Sequence, residues 1–315
     1  MSRSRSGQPR ALVVGAGGYL GGAIVGALSA QGWRVRGFLH SPRGTADVER
    51  KGAEAIVGDV LDLEAVNRAS RGCTAVVHVA AAGGEGPEGA RRAEMVRVQG
   101  SRNIVEAARA QGVRRLVVGS GYWVYADQPG TITESSALDP RGESLLNYRA
   151  EQVALDPAVR GRLEVLVVRP GMVYGDGSWF RPVVDAVRTG TYRYIGDGSN
   201  PWSFVSLEDA GAGFARIVES GAPGEVYNLV DGHPATWKEF ADLVSDRLGR
   251  PHPSSISPAE GTAIYGPDVA HHLQARRACS SAKIERLGWK PRHVDFRTGM
   301  AALLSKMIAA DSRPS

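Results

Sequence analysis

Glycines at positions 15, 17, 18, 21 and 22 follow directly on the apolar run Ala11-Leu12-Val13-Val14 and run into the helical pattern Tyr19–Ala30. Gly15 is expected to permit a tight turn, Gly18 to let the backbone approach a diphosphate, and Gly21 to let the helix pack closely on the strand. The helix start, with the amides of Tyr19 and Leu20, would then aim free N–H groups and a positive dipole end at the phosphates. Glycines also mark ordinary turns. What favours a dinucleotide here is the position of the motif at the first strand of a strand–helix series.

The end of the second apolar run decides which dinucleotide. NAD sites of this kind carry an Asp or Glu there to bind the ribose 2′-hydroxyl. This chain reads His40-Ser41-Pro42-Arg43, with no acid before Asp47. A carboxylate would repel a 2′-phosphate, whereas Ser41, Arg43 and His40 could bind one. NADP is therefore the expected cofactor, with NAD as the alternative.

The elements that must position these groups alternate through the first 170 residues. Strands are expected at Ala11–Val14, Val35–Leu39, Ala55–Val57, Ala75–Val79, Leu116–Val118 and Val165–Val168. Helical patterns lie between them, at Tyr19–Ala30, Leu63–Arg71, Ala93–Gln111 and Leu145–Leu155. Near-continuous Val/Ile/Leu strands imply burial on both faces, hence an α/β fold of Rossmann type: a doubly wound parallel sheet with right-handed crossovers. Residues 11–175 are expected to form the dinucleotide-binding domain, with 204–231 returning to it. Residues 176–203 and 232–315 would form a smaller C-terminal substrate lobe, and 1–10 a disordered tail.

Several segments together resemble the extended short-chain dehydrogenase/reductase superfamily, the branch of NAD-dependent epimerases, dehydratases and related reductases. The G-x-x-G-x-x-G spacing of Gly15, Gly18 and Gly21 is one. Gly58-Asp59-Val60 is similar to the adenine-contacting turn, and Val77-His78-Val79-Ala80-Ala81 to the motif after the fourth strand. Arg169-Pro170-Gly171-Met172-Val173-Tyr174-Gly175 resembles the segment flanking the nicotinamide. The resemblance implies cofactor contacts from Asp59, Val60, Ala80, Ala81, Pro170, Gly171 and Val173. It spans roughly residues 10 to 300 and implies no single reaction.

That family's usual chemistry uses a Ser, a Tyr as general acid or base, and a Lys four residues after the Tyr. This chain departs at all three. Counting back from Val124-Tyr125 puts Gly121 at the serine position, with Ser120 one residue earlier. Aligning Glu151 with the family's helix glutamate puts Glu143 at the Tyr position and Asn147 at the Lys position. A register shifted by two offers Leu145 and Arg149 instead. Ser120, Glu143 and Tyr148 are the expected catalytic groups, Glu143 acting as an acid if burial keeps it neutral. His78 reads as a packed strand residue. Three outcomes stay open: an NADP(H)-binding oxidoreductase on a carbonyl/alcohol pair using substitute groups, a non-redox isomerase, epimerase or cyclase, and a non-catalytic dinucleotide-binding regulator.

Tyr122, Trp123, Tyr174, Trp179, Arg181 and Trp202 fall in loops expected at the carboxyl ends of the strands, where such folds bind ligands. They favour a small hydrophobic or aromatic substrate, though aromatics also pack small lobes. The loop Ala82–Gly89 is expected to cover the site. The net charge of +5 comes from basic residues spread along the chain, which argues against nucleic acid as a partner. No window is apolar enough for a membrane span. Cys73 and Cys279 show no metal-ligand spacing and suggest a reducing, cytoplasmic setting; no metal is expected. A homodimer through Ala93–Gln111 and Leu145–Leu155 is expected by analogy.

Overall fold

A computed structural model describes residues 8–82, 86–161 and 163–311. Seven strands form one sheet: β1 (Arg10–Val14), β2 (Arg34–Leu39), β3 (Glu54–Val57), β4 (Ala75–His78), β5 (Arg115–Gly119), β6 (Glu164–Pro170) and β7 (Val226–Leu229). Every neighbouring pair is parallel, in the order β3-β2-β1-β4-β5-β6-β7. The fold is a Rossmann-like doubly wound α/β sheet. The chain turns outward in both directions from the β1–β4 junction, the switch point where such sheets hold ligands beyond the strand ends.

Burial on both faces explains the continuous aliphatic strands. Val13, Val77, Val117 and Val168 point into a core shared with α1 (Tyr19–Ala30). Leu12, Val14, Val76, Leu116 and Val118 point to the other side, toward α2 (Gly100–Ala110) and Ala154 of α3 (Glu143–Leu155). A fourth helix, α4 (Leu207–Ser220), packs on the first face through Phe214 and Ile217. It crosses α1 so closely that a Cβ on Gly211 would lie 2.7 Å from the Ala23 carbonyl oxygen.

The rest of the chain builds an aromatic core of its own. Trp202 meets Trp237 at 4.2 Å between centroids, Trp237 stacks on Phe240 at 4.7 Å, and Phe204 on Phe296 at 4.8 Å. Met172–Tyr174 pairs in parallel with Phe204–Ser206, tying this core to the end of β6.

Three expectations are altered. Of the tail, residues 1–7 lie outside the described residues, and Arg10 already belongs to β1. Of the covering loop, residues 83–85 lie outside the described residues, while Gly86–Glu94 is helical. The single helix expected over Ala93–Gln111 is three pieces, because a π turn at Met95–Gln99 joins Gly86–Glu94 to α2. Among the described residues no helix is long and apolar enough to cross a membrane, and no group of three metal-ligating side chains occurs.

Candidate functional site

The glycine turn behaves as its spacing implies. Gly15 has φ +93°, and a Cβ there would lie 2.8 Å from the Ala80 backbone. The amides of Gly15 and Ala16 both donate to the Phe38 carbonyl, at 3.0 and 3.2 Å, which anchors the turn between β2 and β4. At Gly21 a Cβ would lie 2.0 Å from the Gly15 oxygen, so only glycine lets α1 start this close to the turn. No side chain caps α1 at Gly18, and its first turn holds no acid. The helix start is therefore free to receive an anion.

A cleft of about 680 Å³ opens over this turn. Gly15, Gly18, Tyr19 and Leu20 form its floor, and His40, Ser41 and Arg43 line it from the end of β2. Asp59 and Val60 close it after β3, and Ala80 and Ala81 after β4. Eleven of the expected cofactor contacts thus converge on one space. An uncapped helix end and a glycine cradle that a Cβ would fill suit a diphosphate, so these residues fit a dinucleotide.

Two lining residues escaped the sequence reading. Arg92 donates to Asp59 Oδ2 at 2.8 Å. Burial acts to raise the Asp59 carboxyl, but the Leu61 amide, Arg92 and His40 outweigh it and hold it below the ordinary carboxylate range. Arg92 was visible only as half of the Arg91–Arg92 pair, with nothing to say which way it pointed. Ser178 also lines the cleft and is the one non-glycine residue with positive φ, +48°, among the described residues.

Pro170, Gly171 and Val173 are not among the lining residues of this cleft. They sit at and beyond the end of β6, where a Cβ on Gly171 would lie 2.5 Å from the Ser203 oxygen and Val173 pairs with Val205. They lie outside the cleft, beyond its wall at residues 79–82.

The catalytic candidates lie after β5 and along α3, outside that cleft. Ser120 follows β5, its amide donating to the Val168 carbonyl at 2.8 Å, and its buried Oγ has no hydrogen-bond partner. On α3 the register is resolved by partners. Glu151 faces inward, accepting from Arg169 Nε and Nη2 at 2.9 and 2.6 Å. Arg149 faces outward and pairs with Glu94. Asn147, four residues before Glu151, lies on the same inner face, whereas Arg149 of the shifted register does not. Tyr148 packs instead against the cluster of Tyr122, Val124 and Tyr125.

Glu143 is exposed at the first turn of α3, so the burial its role as a neutral acid required is not found. Its field instead reaches Arg97, a half-buried residue of the π turn that donates from Nη1 to Asn147 Oδ1. Burial pulls the Arg97 guanidinium down and Glu143 opposes it. On β4, His78 is buried with both ring nitrogens unpartnered, and burial, with Arg97 adding, pushes it down to about 3. It stays neutral. No spacing rule joins Arg97 to a residue fifty positions away, and the sequence reading passed it over.

The aromatic candidates mostly pack. Tyr122, Tyr174 and Trp202 are each 2% exposed or less, and burial raises the phenols of Tyr122 and Tyr174 well above their usual range. Where the sequence reading set these three around a substrate, the structure buries them. Trp179 donates Nε1 to the Val173 carbonyl at 2.7 Å, and Arg181 binds Asp176. Trp123 stacks on His272 at 4.7 Å.

The chain matches the model of the NAD dependent epimerase/dehydratase family over residues 11–229. It is 32% identical over 307 residues to a 3-diazoavenalumate denitrifying reductase of a Streptomyces species, covering 92% of this chain and 99% of that protein. It is also 32% identical over 249 residues to a 4-hydroxy-2-methyl-3-oxo-4-farnesyl-3,4-dihydroquinoline-1-oxide ketoreductase of Stigmatella aurantiaca, covering 76% of this chain and 73% of that one. Among solved structures it resembles a dTDP-glucose 4,6-dehydratase from Streptomyces venezuelae with NAD bound, with TM-score 0.80 and 26% identity over 95% of this chain and 97% of that one.

Proposed function

The chain belongs to the NAD dependent epimerase/dehydratase family, and we propose that within it the protein is an NADP(H)-dependent reductase of a carbonyl or similarly electrophilic group on a small hydrophobic or aromatic metabolite. The observation that carries the NADP choice is the end of β2, where His40, Ser41 and Arg43 line the cleft and β2 contributes no carboxylate, the lining acid Asp59 being held by Arg92. The relatives named as reductases favour hydride transfer over a non-redox reaction.

When bound, the cofactor supplies a hydride. The remaining work falls to the chain. The amides at the start of α1 bind the diphosphate, and Arg43 and Ser41 hold the 2′-phosphate. Ser120 Oγ, buried and without a partner, donates to the substrate oxygen as charge develops on it. Tyr148 is half-buried against the Tyr122–Tyr125 cluster, so the proton is drawn from water at the exposed first turn of α3. The face of α2 and α3, with Val98, Arg102, Arg109 and Val153 around a groove, is assigned to a second copy of the chain. Two buried free thiols suit a cytoplasmic setting.

The test is loss of NADPH absorbance with a panel of aryl ketones, β-keto acids and aryl diazo acids, beside calorimetric titration of NADP⁺ and NAD⁺. Product formed without net cofactor consumption would move the reading to the isomerase class. Binding without any turnover would move it to a regulator.

A further inference from the structure

The family's lysine is absent, yet a cation stands beside the position it would occupy. Asn147, at the lysine position, stands at the end of β5: a Cβ on Gly121 would lie 3.6 Å from its Nδ2. Its Oδ1 accepts from Arg97 Nη1. Among the described residues this is the one hydrogen bond recorded to that guanidinium, leaving Nε and Nη2 unengaged. Neither nitrogen is sealed off without a partner, so both are open to water and to a hydroxyl that takes its place.

Three features aim this side chain. The π turn Met95–Gln99 adds a residue to the helix at this point, and such turns recur at functional sites. Ser101 Oγ donates to the Arg97 carbonyl at 2.6 Å, tying the turn to α2. Glu143, four residues before Asn147, adds its field from the same face of α3. The diphosphate cradle lies over β1 and the adenine side over β2 and β3, so the opposite nucleotide half must pass over β4 and β5, where Arg97 and Asn147 meet.

We propose that Arg97 is the cation of the nicotinamide half, taking the place of the missing lysine and binding a ribose hydroxyl there while Asn147 holds its fork. This rests on the dinucleotide reading above. It makes the chain's departure from Tyr-x-x-x-Lys a relocation of charge from α3 to the neighbouring helix.

The probes are NADPH, which spans both halves, and 2′,5′-ADP, which carries only the adenine half. Arg97→Met is expected to weaken NADPH binding at least tenfold and shift the fluorescence of bound NADPH, with 2′,5′-ADP bound as in the parent. Arg97→Lys should recover much of the loss. If Arg97→Met fails to fold, Arg97→Gln, which keeps the amide contact to Asn147, serves in its place with the same expectation. Unchanged NADPH affinity overturns the proposal, as does equal weakening of both probes, which marks a structural role. If the parent chain binds 2′,5′-ADP but no variant differs, the dinucleotide reading stands and Arg97 falls; if the parent binds neither probe, both fall together.

Discussion

Glu151 and Arg169 close on each other as a two-pronged fork, at 2.9 and 2.6 Å, with side chains 1% and 4% exposed. The pair joins α3 to β6, and the Arg169 guanidinium also lies over the Tyr125 ring at 4.9 Å. Removing one partner leaves a buried charge unmatched. Glu151→Ala is therefore expected to cost about 3–5 kcal/mol in denaturant unfolding, and the double change Glu151→Met with Arg169→Met less than the two single changes summed. Additive losses would show that the two side chains do not act as a pair.

Gly21 and Gly26 lie in the same helix and should respond oppositely to alanine. At Gly21 the added carbon meets the Gly15 oxygen at 2.0 Å, so the phosphate turn must move. Gly21→Ala is expected to lower NADP⁺ affinity tenfold or more and to cost about 1–3 kcal/mol of stability. At Gly26 the nearest atom is Lys51 Cδ at 3.9 Å, ordinary contact. Gly26→Ala should leave binding intact and add about 0.5–1 kcal/mol. Calorimetry and unfolding curves on the two variants read both effects.

Two sets of buried groups should tilt stability in opposite directions between about pH 4 and 7. Burial holds His272 down at about 4 and His78 at about 3, so both stay neutral in the fold and protonate more readily once unfolded. Their contribution is complete above about pH 6.5 and is lost as pH drops from there toward 4. Asp231 runs the other way. Burial lifts it to about 7, with the His233 amide opposing and Asp295 adding. Its contribution is present below about pH 4 and is lost as pH climbs toward 7. Asp231→Asn should thus raise the thermal midpoint more at pH 8 than at pH 5; an equal rise at both would remove Asp231 as the cause.

Cofactor choice should turn on Arg43. Arg43→Ala is expected to raise the Kd for NADP⁺ about tenfold, roughly 1.4 kcal/mol, and to leave NAD⁺ nearly unchanged. A parallel loss for both cofactors would mean that Arg43 touches the shared part of the molecule.

What could be read in the residues was what local pattern controls. The first six strands of the sheet and the start of α1 follow from aliphatic runs and glycine spacing, which act over a few positions. The helix Gly86–Glu94 was missed because Gly86, Pro87 and Gly89 have poor helix propensity, although proline is well tolerated in a first turn. The π turn left no trace, since Met95, Val96 and Val98 continue the apolar run either way. Trp202 and Tyr174 misled for another reason: aromatic density looks the same whether rings line a pocket or fill a core, and only burial separates the two. Arg97 meeting Asn147 is a contact between distant segments, beyond any periodicity.

The π turn has one residue more than the α-helix it interrupts. Deleting Met95 or Val96 would thus restore a regular helix rather than break one, while swinging the segment before α2 by about 100° relative to it. A single lost codon would then be enough to turn Arg92 away from Asp59, while Arg97 stays in step with α2.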